Sequence, residues 1–224
     1  MFRALASLRK SESFMRAIVG KFGEMLAKDE WLFCQAWATI DGAPDLDKVR
    51  QPFYDEDRAV NAIEQDIRRM LVEHLSVHPA PDIPGTLVLM SLVKDAERIG
   101  DYSKNIFELG IMLRGVKMPL MKYYDRLAAT RDQLVENFPL LRQAFAESDE
   151  TLAGTVLKSY GTIKNTCNGI LKDLVDDDLP TKEAVASALL SRYLKRVSSH
   201  ISNIASGLTN PLDQIDFVRG SILE

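Results

Sequence analysis

The chain has 224 residues, 46% of them hydrophobic, long enough to bury a core as one large domain or two small ones. Its 28 basic and 32 acidic residues give a formal charge of −4, with the basic ones scattered along the chain, which argues against nucleic-acid binding. Two cysteines without CxxC partners, Cys34 and Cys167, argue against a disulfide framework, and no apolar run reaches the roughly 18–20 residues of a membrane span.

Apolar residues recur at helical spacing almost throughout, so the expected fold is all-α. The N-terminus is basic but lacks an apolar run and cleavage site of signal-peptide form, which points to the cytoplasm. A first helix is expected over 13–40, with Met15, Ile18, Phe22, Met25, Leu32, Phe33, Ala36 and Trp37 inward, stopped at Asp41-Gly42-Ala43-Pro44. A second is expected to begin near Asp55, with Val60, Ile63, Ile67, Met70 and Leu71 on its apolar face, and to end before the HPAPDIPG loop. A third runs from about Thr86 to Leu113, turning Leu89, Leu92, Val93, Ala96, Ile99, Ile106 and Leu109 inward; Gly115 and Pro119 mark the joint that follows.

Helices over 120–146, 150–175 and 182–208 repeat this scheme, with Asp149 and Thr181 placed as caps and Glu183 adding negative charge to a helix start. The sixth helix laid on the third with an offset of 98 aligns Glu97-Arg-Ile-Gly-Asp-Tyr-Ser-Lys-Asn-Ile106 with Lys195-Arg-Val-Ser-Ser-His-Ile-Ser-Asn-Ile204. Arg, Asn and Ile coincide. The expected architecture is two tandem three-helix bundles related by a pseudo-twofold repeat, residues 1–115 and 116–210, with a loose tail at 211–224.

Chemistry concentrates in the third helix. Glu97 and Asp101 stand four apart on one helical face, where like charges repel unless a cation lies between them or Arg98 offsets them; Asn105 continues the line. The second helix carries a matching stripe of Asp57, Asn61 and Glu64. If the two helices are antiparallel neighbours, an oxygen-rich set forms that suits a hard cation such as magnesium, manganese or iron; the alternative is a solvated acidic face. Gly100, inside this helix, implies a close neighbour.

The string Glu97-Arg-Ile-Gly-Asp101, with Asn105 and Ile106 behind it and Asp57-Arg-Ala-Val-Asn61-Ala-Ile-Glu64 upstream, resembles the signature of the PhoU family. Ser148 to Ala153 and Arg192 to Asn203 resemble the family's helix start and final helix in the second half. The resemblance implies a cytoplasmic, often dimeric helical regulator of phosphate uptake and phosphate-starvation signalling, working with a phosphate transporter component and a sensor kinase. It is at most peripheral to the membrane. Because several members bind metal clusters at ExxxD motifs, it also implies Glu97, Asp101 and Asp57 as metal ligands, with Asn61, Glu64 and Asn105 contributing less. The second repeat departs from the pattern: Lys195 and Ser199 replace Glu97 and Asp101, while Lys164 and Asn168 replace Asp57 and Asn61, so metal is expected in the first repeat alone.

The remaining candidates read as structural. His74 and His78 form a surface pair near a helix end, His200 has no partner in reach along the chain, and Cys34, Cys167, Trp31 and Trp37 belong to apolar faces. No nucleotide-binding or hydrolase motif occurs, so no enzyme is expected. Two alternatives to a regulator stay open: a structural helical adaptor without a ligand, and a metal-dependent protein built on the carboxylate cluster.

Overall fold

The structure, a computed structural model, describes residues 14–42, 45–77, 83–116 and 118–215. It contains helices α1 (Phe14–Ile40), α2 (Leu46–Val77), α3 (Ile83–Met112), α4 (Tyr124–Glu147), α5 (Glu150–Asp176) and α6 (Thr181–Thr209). Short 3₁₀ turns cover Met118–Leu120 and Leu212–Gln214. Helices α1, α2 and α3 pack on one another, as do α4, α5 and α6. The two three-helix bundles meet through α3 on α6 and α1 on α4, leaving α2 and α5 outermost.

Every described residue expected to face inward is buried except Met70, which is half-buried. The side chain of Met15 lies outside the described residues. One hydrophobic core runs through both bundles, and its joint is aromatic: Phe22 meets Phe145 edge to face at 5.1 Å, and Phe33 meets Phe138 at 5.8 Å. Gly42, at φ 73°, and Gly115, at φ 84°, take left-handed conformations after α1 and α3, where a β-carbon would be strained.

Helix α2 begins nine residues before its expected start at Asp55. Leu46, Val49, Phe53 and Val60 extend one helical stripe backwards past Pro52, and Phe53 stacks on Phe107 of α3 at 3.9 Å. That burial offsets the backbone hydrogen bond forfeited by the exposed proline. Asp149 caps α5 as expected, its carboxylate accepting from the Thr151 and Leu152 amides at 2.7 and 3.1 Å. Thr181 does not cap α6; it is the first helical residue, and the preceding Pro180 provides no side-chain cap. The tail is tied down at its start, where Asn210 Nδ2 donates to the Gln214 carbonyl at 2.9 Å and Ile215 is buried. Pro44, the HPAPD part of the expected loop, and 216–224 lie outside the described residues.

Candidate functional site

Helices α2 and α3 are antiparallel neighbours, and the acidic stripes do face one another, but each carboxylate finds a cation from its own pair of helices. Asp57, buried on α2, accepts from Lys104 Nζ at 3.0 Å. Glu64, also buried, pairs through Oε1 with Arg68 at 3.1 Å. Glu97 accepts from Lys94 Nζ at 2.8 Å, and Arg98 lies 3.6 Å from it while donating to Asp101 at 2.6 Å. Of the two ways to offset the Glu97–Asp101 repulsion, the structure displays Arg98, reinforced by Lys94. Glu97 holds the guanidinium of Arg98 above its ordinary pKa, and the hydrogen bond to Asp57 does the same for Lys104.

The predicted residues divide by depth. Asp57, Glu64 and Glu97 point into the bundle, with side chains 9, 10 and 13% exposed. Asp101 and Asn105 instead line a polar surface hollow of about 310 Å³ with Arg98, Tyr102, Lys104 and Glu108. Asn61 is half-buried. Among the described residues, no three histidine, cysteine, aspartate or glutamate side chains meet closely enough to hold an ion.

A residue outside both stripes completes the buried part. Asp29, on α1, is fully buried, and neither of its carboxylate oxygens has a hydrogen-bond partner. Burial raises its pKa well above the ordinary carboxylate value, and the charges of Glu97 and Asp57 raise it further. Carboxylates on three helices thus lie within electrostatic reach of Asp29 or belong to it. Gly100 makes room for it: a β-carbon there would lie 3.3 Å from Asp29 Oδ1 and 3.7 Å from a methyl of Val60. The chain does signal this. Asp29 stands four residues from Met25 and from Phe33 and three from Leu32, all buried, so it occupies an inward position that its charged neighbours Lys28 and Glu30 disguise.

The histidines also differ from their expected settings. His74 is buried and stacks on Phe14 at 5.1 Å, since α2 packs its end against the start of α1; His78 lies outside the described residues. His200 has a carboxylate partner after all, Asp95, brought to it from 105 residues away by the packing of α3 on α6. Cys167 is buried, and burial pushes its thiol up to about 11. Cys34 is half-buried; Trp37 is in the core, but Trp31 is 37% exposed against Phe53.

Comparison with known proteins falls on the same segment. Residues 44–110, which span α2, α3 and both predicted stripes, match the PhoU domain. The phosphate-specific transport system accessory protein PhoU homolog of Deinococcus radiodurans is 27% identical over 155 residues, covering 66% of this chain and 72% of the relative. Its namesake in Xylella fastidiosa is 24% identical over 184 residues, 77% of this chain and 75% of the relative. In fold, the crystal structure of PhoU from Pseudomonas aeruginosa superposes with a TM-score of 0.76 at 22% identity, over 87% of this chain and 95% of that one. The phosphate transport system regulatory protein PhoU from Streptococcus pneumoniae gives 0.72 at 16% identity, over 95 and 100%. The domain match, the paired bundles and relatives that extend into the second repeat agree: residues 44–110 match a PhoU domain, and the chain as a whole is similar to PhoU proteins in sequence and in fold.

Proposed function

We propose that this protein restrains phosphate uptake and phosphate-starvation signalling by binding a phosphate transporter component, a sensor kinase, or both. The observation that carries this reading is the PhoU domain match over the helix pair that bears the acidic stripes, within a chain whose relatives are named as accessory proteins of phosphate-specific transport. Among the described residues no helix is long and apolar enough to cross a membrane. The family is regulatory and non-catalytic, and the protein acts by docking rather than by catalysis. We place it in the cytoplasm as a homodimer. Affinity capture from phosphate-replete cells tests the reading: recovery of a phosphate transporter subunit or its cognate kinase is expected, and recovery of neither would refute it.

A specific observation favours a metal at the first repeat as part of this function. Asp29 is a buried carboxylate with two unpartnered oxygens beside two other carboxylates, an arrangement that a hard cation would satisfy and that neutral packing would not. Asp29, Asp57 and Glu97 would hold magnesium, manganese or iron, with Glu64, Asn61, Asp101 and Asn105 around them, once Lys104 and Lys94 withdraw from their carboxylates. The second repeat, with Lys195 and Ser199, would hold none. Elemental analysis of protein purified without a metal-affinity tag should find stoichiometric metal that is lost in Asp29→Asn/Glu97→Gln. Its absence from the wild type after soaking would leave the site a packing device and the protein a metal-free adaptor.

A further inference from the structure

Where the first repeat places carboxylates, the second places cations. Leu26, Asp29, Phe33 and Ala36 on α1 recur on α4 as Leu134, Asn137, Leu141 and Ala144, with the same spacing and all buried. Asn137 therefore stands for Asp29 and donates to Ser159 of α5 at 2.7 Å, so the neutral replacement is satisfied where the charged original is not. Lys164 stands for Asp57, Lys195 for Glu97 and Ser199 for Asp101, and α5 packs on α6 as α2 packs on α3.

The scattered basic residues of the chain are gathered here by folding. Lys195 Nζ donates to Asn168 Oδ1 at 2.8 Å, and Lys164 lies one turn before Asn168 on the same face of α5. Burial, then the charges of Arg192, Lys164 and Arg196, hold Lys195 below the ordinary lysine pKa. Among the described residues, Lys164, Arg192 and Arg196 enter no ion pair, and Lys195 is bonded only to a neutral amide. Further along α5 and just beyond it, Asp173 pairs with Arg126 at 2.6 Å and Asp177 with Lys122 at 2.6 Å. Two ammonium and two guanidinium groups at one helix pair, without a counter-charge, repel one another. A multiply charged anion would relieve that repulsion, using the guanidinium forks and the lysine point charges together.

We propose that Lys164, Arg192, Lys195 and Arg196 form a binding site for a free phosphate-type oxyanion of the diphosphate class. The choice of phosphate rests on the regulatory reading above; the cluster itself rests on the geometry of α5 and α6.

Titration calorimetry of the full chain with pyrophosphate at low ionic strength tests the site. Saturable binding is expected, weakened about tenfold or more by Lys195→Gln and by Lys164→Gln and largely restored by Lys195→Arg. Lys158→Gln serves as the control for net charge, since Lys158 is exposed and lies about 240° around α5 from Lys164. Displacement of pyrophosphate by ADP would identify a nucleotide as the natural source and failure to displace it an inorganic anion, and both support the site. Melting curves of each variant confirm that it is folded. No saturable binding at millimolar pyrophosphate, or equal weakening by Lys158→Gln, overturns the proposal. Because the readout is binding by the purified chain, its failure is distinct from failure of the regulatory role, which is read in cells.

Discussion

Asp95 on α3 and His200 on α6 lie 2.7 Å apart, and Asn203 Nδ2 donates to the same carboxylate oxygen at 2.9 Å. A carboxylate oxygen accepts, so this bond requires the imidazole tautomer that carries its proton on Nδ1, across the joint between the two repeats. The ring also stacks on Tyr102 at 5.6 Å. Asp95→Ala should therefore cost about 1–3 kcal/mol in urea unfolding, because two donors lose a buried acceptor. His200→Ala should cost less in the Asp95→Ala background than in the wild type, giving a coupling energy above about 0.5 kcal/mol in a double-mutant cycle. Additive effects would mean the pair does not hold the repeats together.

The buried Asp29 makes a prediction about pH. Its native pKa is raised, so between the unfolded carboxyl value near 3.9 and that raised value the native state retains a proton that the unfolded chain has released. The contribution is full below the unfolded value and is lost as pH rises through the native one. Metal-free wild type should therefore lose stability on going from mildly acidic to neutral pH relative to Asp29→Asn, and Asp29→Asn should be the more stable protein at neutral pH. Parallel urea titrations across this range would show the two curves converging toward acid.

Close approach of α1 and α3 depends on Gly110. A β-carbon there would fall 1.9 Å from Thr39 Oγ1 and 2.6 Å from Thr39 Cβ, in a buried setting where neither helix can move freely. Gly110→Ala should destabilise by about 1–3 kcal/mol or more, lowering Tm by roughly 2–4 °C per kcal/mol. Thr39→Gly in the same chain should recover part of the loss beyond its own effect.

Asp149 turns the chain between α4 and α5, and its carboxylate holds two amides that α5 leaves without helical partners. Asp149→Ala should cost about 1 kcal/mol in chemical denaturation, whereas Asp149→Ser should cost only a fraction of that.

The helices were legible because each runs for several turns with a sustained apolar stripe, so periodicity located six elements and, on the first three, a set of inward residues of which Met70 alone among those described is not buried. Their ends were less so. Helix α2 starts before Asp55 because the burial of Phe53 against Phe107 outweighs the hydrogen bond lost at Pro52. In the site, Asp57, Glu64 and Glu97 were recognisable from spacing within single helices. Asp29 was hidden because a charge between two charged neighbours reads as solvated surface, although its register with Met25 and Phe33 turns it inward. His200 with Asp95, and the basic cluster at Lys195, bring together residues from different helices, and no local pattern reports such pairings.

Phosphate uptake measured in phosphate-replete cells, with and without this protein, decides whether it restrains transport. Loss of the protein should raise uptake, and return of the wild-type chain should restore restraint. Uptake unchanged by the loss would mean that the protein does not restrain it.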